Sequence, residues 1–141
     1  MYLTQAKNSC FMPYSTTYYK LLNWMIASVW LINGLYCKVF GMVPRHREIV
    51  ERILGEKFAH ELTFLIGLGE VCIAFAVILK PSKWLTGFQI IMVITMNILE
   101  LIMAHDLLLW GKYNLFFASI FALILFYNEY HLRPMSKGSE L

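Results

Sequence analysis

Residues 62–79 read LTFLIGLGEVCIAFAVIL, eighteen residues with a single charge, Glu70. A helix rises about 1.5 Å per residue, and roughly 20 residues cross the hydrocarbon of a bilayer. The run therefore predicts a membrane-spanning helix. A carboxylate near the middle of such a helix is costly, by about 2.5–3.5 kcal/mol on insertion scales for Asp. It is tolerated where it faces a bundle interior or a wet cavity. The stretch thus predicts a membrane fold and a buried polar site together.

The rest of the chain repeats the pattern. Of its 141 residues 59% are hydrophobic and 15% charged, against roughly 25% charged in soluble domains. Apolar runs occupy Leu21–Cys37, Leu62–Leu79, Trp84–Met103 and Tyr113–Asn128, with the charges crowded between them. The fold class expected is all-α: a transmembrane four-helix bundle, with spans near 21–40, 59–80, 84–104 and 113–131. Residues 1–19 read as a polar N-terminal segment, 20–131 as the membrane domain and 132–141 as a short polar tail. The first span is longer than a signal-peptide core and is followed by no cleavage-like site, so it reads as retained. This distribution leaves no room for a soluble catalytic domain.

Between the first two spans the pattern changes. Ile49, Val50, Ile53 and Leu54 form a one-sided apolar stripe at helical spacing, flanked by Arg45, Arg47, Glu48, Glu51 and Arg52. Pro44 suits a helix start and Gly55 a helix end. A short amphipathic helix near 45–54 follows, lying on the membrane or capping the bundle. Lys80-Pro81-Ser82-Lys83 is a tight turn that makes spans two and three antiparallel neighbours.

Four spans put both termini on one side. Lys7, Lys20, Lys80, Lys83, Arg133 and Lys137 lie on that side, and Lys38, Arg45, Arg47, Arg52, Lys57 and Lys112 on the other. The cations of the long loop are interleaved with glutamates, whereas the Lys80–Lys83 turn is purely basic. That asymmetry favours cytoplasmic termini. A net charge of +3, without basic runs, gives no nucleic-acid signature. The three cysteines, Cys10, Cys37 and Cys72, form no C-x-x-C pair. His60-Glu61 has no second histidine at zincin spacing, and Glu100 and His105 are five apart, so no metal site is expected.

Counting depth along the spans places the polar residues in one half of the membrane. Measured from the long-loop side, Glu70 lies roughly 12 Å deep, Asn33 about 10 Å, Asn97 about 9 Å, Glu100 about 5 Å and Lys38 about 3 Å. Asn114 enters span four on the same side. Asn97 and Glu100, three apart, share a helix face, as do Gly67 and Glu70. Gly67 and Gly69 admit a close neighbouring helix. A polar pocket is expected, with Asn33, Lys38, Arg45, His46, Glu70, Asn97, Glu100 and Asn114 as candidate ligand-binding residues. His60, His105 and Asp106 are expected at its rim. Glu70 and Glu100 repel if both ionise, so the deeper Glu70 is expected to hold a proton while Lys38 or Arg45 neutralises Glu100. Each residue also has a structural reading: Asn33 and Asn97 as interhelical hydrogen-bond partners, Glu100 as a snorkelling charge, Glu70 as a neutral structural carboxyl.

Asn33-Gly34-Leu35, Lys38, Gly41, Pro44-Arg45-His46, Gly67-x-x-Glu70, Asn97-x-x-Glu100 and Leu107–Asn114 resemble, in order and spacing, the motifs of the DoxX-like membrane proteins. The resemblance runs from about Trp24 to Glu129. It implies a four-helix integral membrane protein, mostly bacterial, hence a bacterial inner-membrane location. It also implies kinship with proteins linked to quinone-coupled sulfur oxidation and membrane oxidoreductase complexes; quinone enters as a cofactor only through that kinship. The functional expectation is an accessory or ligand-binding subunit embedded in lipid and working with a membrane protein partner. The alternative is a subunit of a quinone-linked oxidoreductase with Glu70 carrying protons. Whether the chain is an enzyme stays open, and without a duplicated half or broken helix a transporter is disfavoured.

Overall fold

A computed structural model describes residues 13–134. The expected polar segment up to residue 12, Cys10 with it, and the tail from residue 135 lie outside the described residues. Helix α1 (Pro13–Leu31) continues without a break into a π-helical stretch, Ile32–Val39. Helix α2 is Arg45–Leu54, α3 is Ala59–Leu79, α4 is Lys83–Met103 and α5 is Tyr113–Tyr127, prolonged by a second π-helical turn, Asn128–Leu132. Short 3₁₀ turns at Glu56–Phe58 and His105–Leu107 complete an all-helical chain, with no strand among the described residues.

Local chemistry sets the boundaries. Pro44 precedes α2, and Gly55 ends it at φ 97°, where its N–H donates to the Glu51 carbonyl at 2.8 Å. Only glycine adopts that left-handed backbone cheaply. Ser82 caps α4 by accepting from the Leu85 N–H at 3.1 Å. Helix α1 starts at Pro13, earlier than the apolar run suggested, and this brings Tyr19 into the packed interior.

Three helices are long and apolar enough to cross a membrane: Glu56–Leu79, Lys83–Met103 and Tyr113–Leu132. Lys20, Asn23, Ser28, Asn33 and Lys38 dilute the apolar character of the first long helix. Large apolar side chains cover the outside of the described bundle as well as filling its core. In α3 the inward face is Thr63, Gly67, Glu70, Ala74 and Val77, while Phe64, Leu65, Leu68 and Phe75 point outward. Lipid tails are as apolar as leucine, so helices here must be held by close packing and polar contacts.

The tightest approach is between the π-helical end of α1 and α3. A Cβ on Gly34 would lie 2.6 Å from the Gly67 carbonyl oxygen, and one on Gly67 2.8 Å from the Gly34 oxygen. Gly69, the other glycine expected to serve this approach, faces open space. The Lys80–Lys83 turn joins α3 to α4, yet those two helices touch only slightly. Helix α3 packs on α1, and α4 packs on α5. The glycine contact draws α1 into the place expected for α4. A core of Ile26, Ala27, Trp30, Ile73, Ala74, Val77 and Leu125 lies where α1, α3 and α5 meet.

Candidate functional site

Above that core, toward α2, the helices diverge around a cavity of about 320 Å³. The π-helical stretch supplies Asn33 and Lys38, α2 supplies Arg45 and His46, and α3 supplies Glu70. Asn97 and Glu100 come from α4, and Asn114 from the first turn of α5. The structure therefore places all eight candidate residues on one wall system. Of the expected rim, His60, His105 and Asp106 stand elsewhere. Asp106 accepts from the Arg52 guanidinium at 2.5 Å on the surface, which holds its carboxyl below the usual range and ties the α4–α5 loop to α2.

The deepest feature is an ion pair. Lys38 Nζ lies 2.5 Å from Glu70 Oε1, and the two side chains are 6% and 5% exposed. Asn33 Nδ2 donates to both Glu70 oxygens, at 3.1 and 3.2 Å. Of the two cations expected to serve Glu100, Lys38 instead pairs with Glu70. The cause is local winding. The wider π turn carries Lys38 into the α1–α3 seam, whose closeness Gly34 and Gly67 permit. π-Helical turns occur mostly as short insertions and often at functional sites.

Across the cavity, Asn114 Nδ2 donates to Asn97 Oδ1 at 2.8 Å, and Asn97 Nδ2 donates to the Val93 carbonyl at 2.8 Å. This chain of amides links α5 to α4 and orients the opposite wall. Among the described residues the half-buried carboxylate of Glu100 accepts no hydrogen bond, and the half-buried guanidinium of Arg45 donates none. His46 has its pKa lowered to about 4, by burial first and then by the charges of Lys38 and Arg45. Its ring is neutral at pH 7. Among the described residues no group of three or more His, Cys, Asp or Glu could hold a metal.

Two features of the fold have no counterpart in the sequence reading. The cavity has an aromatic and apolar lining that includes Trp30, Met92, Met96, Leu108 and Trp110. Trp30 had a sequence signal: an indole in mid-span needs an acceptor, and Gln89 Oε1 accepts from its Nε1 at 2.8 Å. The second is a buried polar cluster near the other end of the bundle. Tyr19 Oη donates to Glu129 Oε2 at 3.1 Å, Arg133 pairs with the other oxygen of Glu129, and Asn128 Nδ2 donates to Asn23 Oδ1 at 2.6 Å. Glu129 falls at the end of the expected fourth span in sequence, and it is 3% exposed. The π-helical extension of α5 carries it inward.

A family model described as the DoxX-like family matches residues 27–127, most of the chain and all eight candidate residues. No curated protein and no solved structure matches the chain.

Proposed function

The chain belongs to the DoxX-like family, and from that premise we propose that it is a multi-pass accessory subunit that binds a small polar ligand inside the membrane. Four spans then cross the bilayer: the first long helix, residues 13–39, and the three apolar helices. Helix α2 lies along the surface over the cavity mouth, and residues 20–131 make up the membrane domain. Both termini face the cytoplasm of a bacterial cell, and a membrane protein partner covers part of the lipid-facing surface. The observation that carries the reading is the cavity itself. Its polar groups come from every long helix, at a depth where unpaired polar atoms are costly, and it keeps an apolar floor. Small-molecule sites share that makeup, with volumes of roughly 300–1,000 Å³.

The geometry favours binding over proton carriage by Glu70. Both oxygens of that carboxylate are engaged by Lys38 and Asn33, which suits a fixed charge. Native mass spectrometry of the purified chain tests the proposal. The expected spectrum contains a bound small molecule or a partner subunit, and the small molecule is lost in Asn114→Leu. A bare protein from gently solubilised membranes would contradict it.

A further inference from the structure

We infer that the cavity takes a short zwitterion, a ligand in which a few atoms separate an ammonium from a phosphate or carboxylate. The inference rests on the binding reading above and names the ligand class. Among the cavity's charges, Lys38 and Glu70 satisfy each other. Arg45 and Glu100 do not: among the described residues neither side chain has an ion-pair or hydrogen-bond partner, and both line the cavity half-buried. Arg45 comes from the first residue of α2 and Glu100 from the last turn of α4. One positive and one negative group thus face the same space from different helices.

Charge balance selects the ligand. Counted at the ordinary charges of these residue types, two cations, Lys38 and Arg45, stand against two anions, Glu70 and Glu100, and the wall sums to zero. A simple anion would satisfy Arg45 and add repulsion beside Glu100. A simple cation would do the reverse. An uncharged ring would fill the volume and desolvate both side chains without compensation, which is unfavourable in a low dielectric. A zwitterion places its oxyanion on the Arg45 guanidinium, whose planar fork suits phosphate and carboxylate, and its ammonium on Glu100. The cavity stays neutral. Trp110 adds an aromatic face in the lining, where an ammonium gains further attraction. The same chemistry is offered by a phospholipid headgroup entering from the bilayer and by a free metabolite entering from water.

Binding to the purified full chain, in detergent free of phospholipid, tests this with defined probes. Glycerophosphoethanolamine is the zwitterion. Glycerophosphoglycerol carries the same phosphodiester without the ammonium, ethanolamine carries the ammonium alone, and ubiquinone-1 is uncharged. The zwitterion is expected to bind about tenfold or more tighter than either half-probe, the worth of one added charge-assisted contact. Glu100→Gln should reduce it to the level of glycerophosphoglycerol and Arg45→Gln to that of ethanolamine. Glu100→Asp, which keeps the charge, should retain the preference and shows that the fold is intact. Dihexanoylphosphatidylethanolamine binding far tighter than glycerophosphoethanolamine assigns the ligand to the lipid, and equal binding assigns it to a free metabolite. Equal affinity for glycerophosphoglycerol, or an unchanged preference in the Gln variants, overturns the inference. Binding of ubiquinone-1 without the zwitterion overturns it and leaves the binding reading standing. Binding of no probe overturns it as well, and the native mass spectrum then decides the binding reading separately.

Discussion

The ammonium of Lys38 and the carboxylate of Glu70 meet at 2.5 Å in the seam between α1 and α3, almost wholly withdrawn from solvent. The two residues are 32 apart in sequence and belong to helices that only a pair of glycines lets come so close. Attraction between the charges offsets the cost of burying them, and Asn33 occupies the remaining oxygen. Removing one partner leaves the other charge uncompensated.

Lys38→Met is therefore expected to destabilise the protein by about 3–5 kcal/mol, the usual penalty for breaking one side of a buried pair. Glu70→Gln should cost a similar amount, because Lys38 then lacks its counter-charge. The double variant Lys38→Met/Glu70→Met should be more stable than either single one. Unfolding of the detergent-solubilised protein measures all three. Additive losses would show that the two side chains do not depend on each other. Loss of activity in Glu70→Gln alone would consequently say little about proton carriage.

Gly34→Ala should separate α1 from α3. Its Cβ would sit 2.6 Å from a backbone oxygen and 2.8 Å from the Glu70 Cβ, and neither can yield as a flexible side chain tip would. Overpacking of this kind costs about 1–3 kcal/mol, and Gly67→Ala should behave alike. Gly69→Ala, with nothing within 4 Å of its Cβ, should match the parent melting temperature. Equal tolerance at all three positions would mean that the helices do not approach as described.

Acidification should weaken the fold through His46. The ordinary histidine pKa is about 6.5, whereas in the fold it is lowered to about 4 by burial and by Lys38 and Arg45. Between those values the unfolded chain takes up the proton and the folded chain does not. The stability contributed by neutral His46 is thus complete above about pH 6.5 and is lost as pH falls toward 4. His46→Gln should show a shallower fall in melting temperature from pH 7 to pH 5. Parallel curves for the parent and His46→Gln would place His46 in water.

Depth and face could be read from the chain because they need only a rise per residue and a helical period. Those two quantities bring Asn33, Glu70, Asn97 and Glu100 to the same half of the bundle. The partner of Lys38 could not be read, nor could the inward turn of Asn128 and Glu129, since both lie in π-helical stretches where the ordinary period fails. The early start of α1 is hidden because residues 13–19 are polar and aromatic with no apolar period; in the fold Tyr19 serves the buried carboxylate of Glu129. The slight contact between α3 and α4 was likewise invisible. A short turn fixes which helices follow one another, but Gly34 and Gly67 fix which ones pack.

A polar cavity open to the side opposite the termini is tested most directly by thiol accessibility. In a chain with Cys10, Cys37 and Cys72 replaced by alanine, single cysteines are introduced as Asn97→Cys and, on the outward face of α3, Phe75→Cys. Intact cells are treated with a membrane-impermeant thiol reagent. The expected result is labelling of Asn97→Cys from outside the cell and none of Phe75→Cys. An unlabelled Asn97→Cys, or one reached only from the cytoplasmic face of inverted vesicles, would contradict the cavity as described.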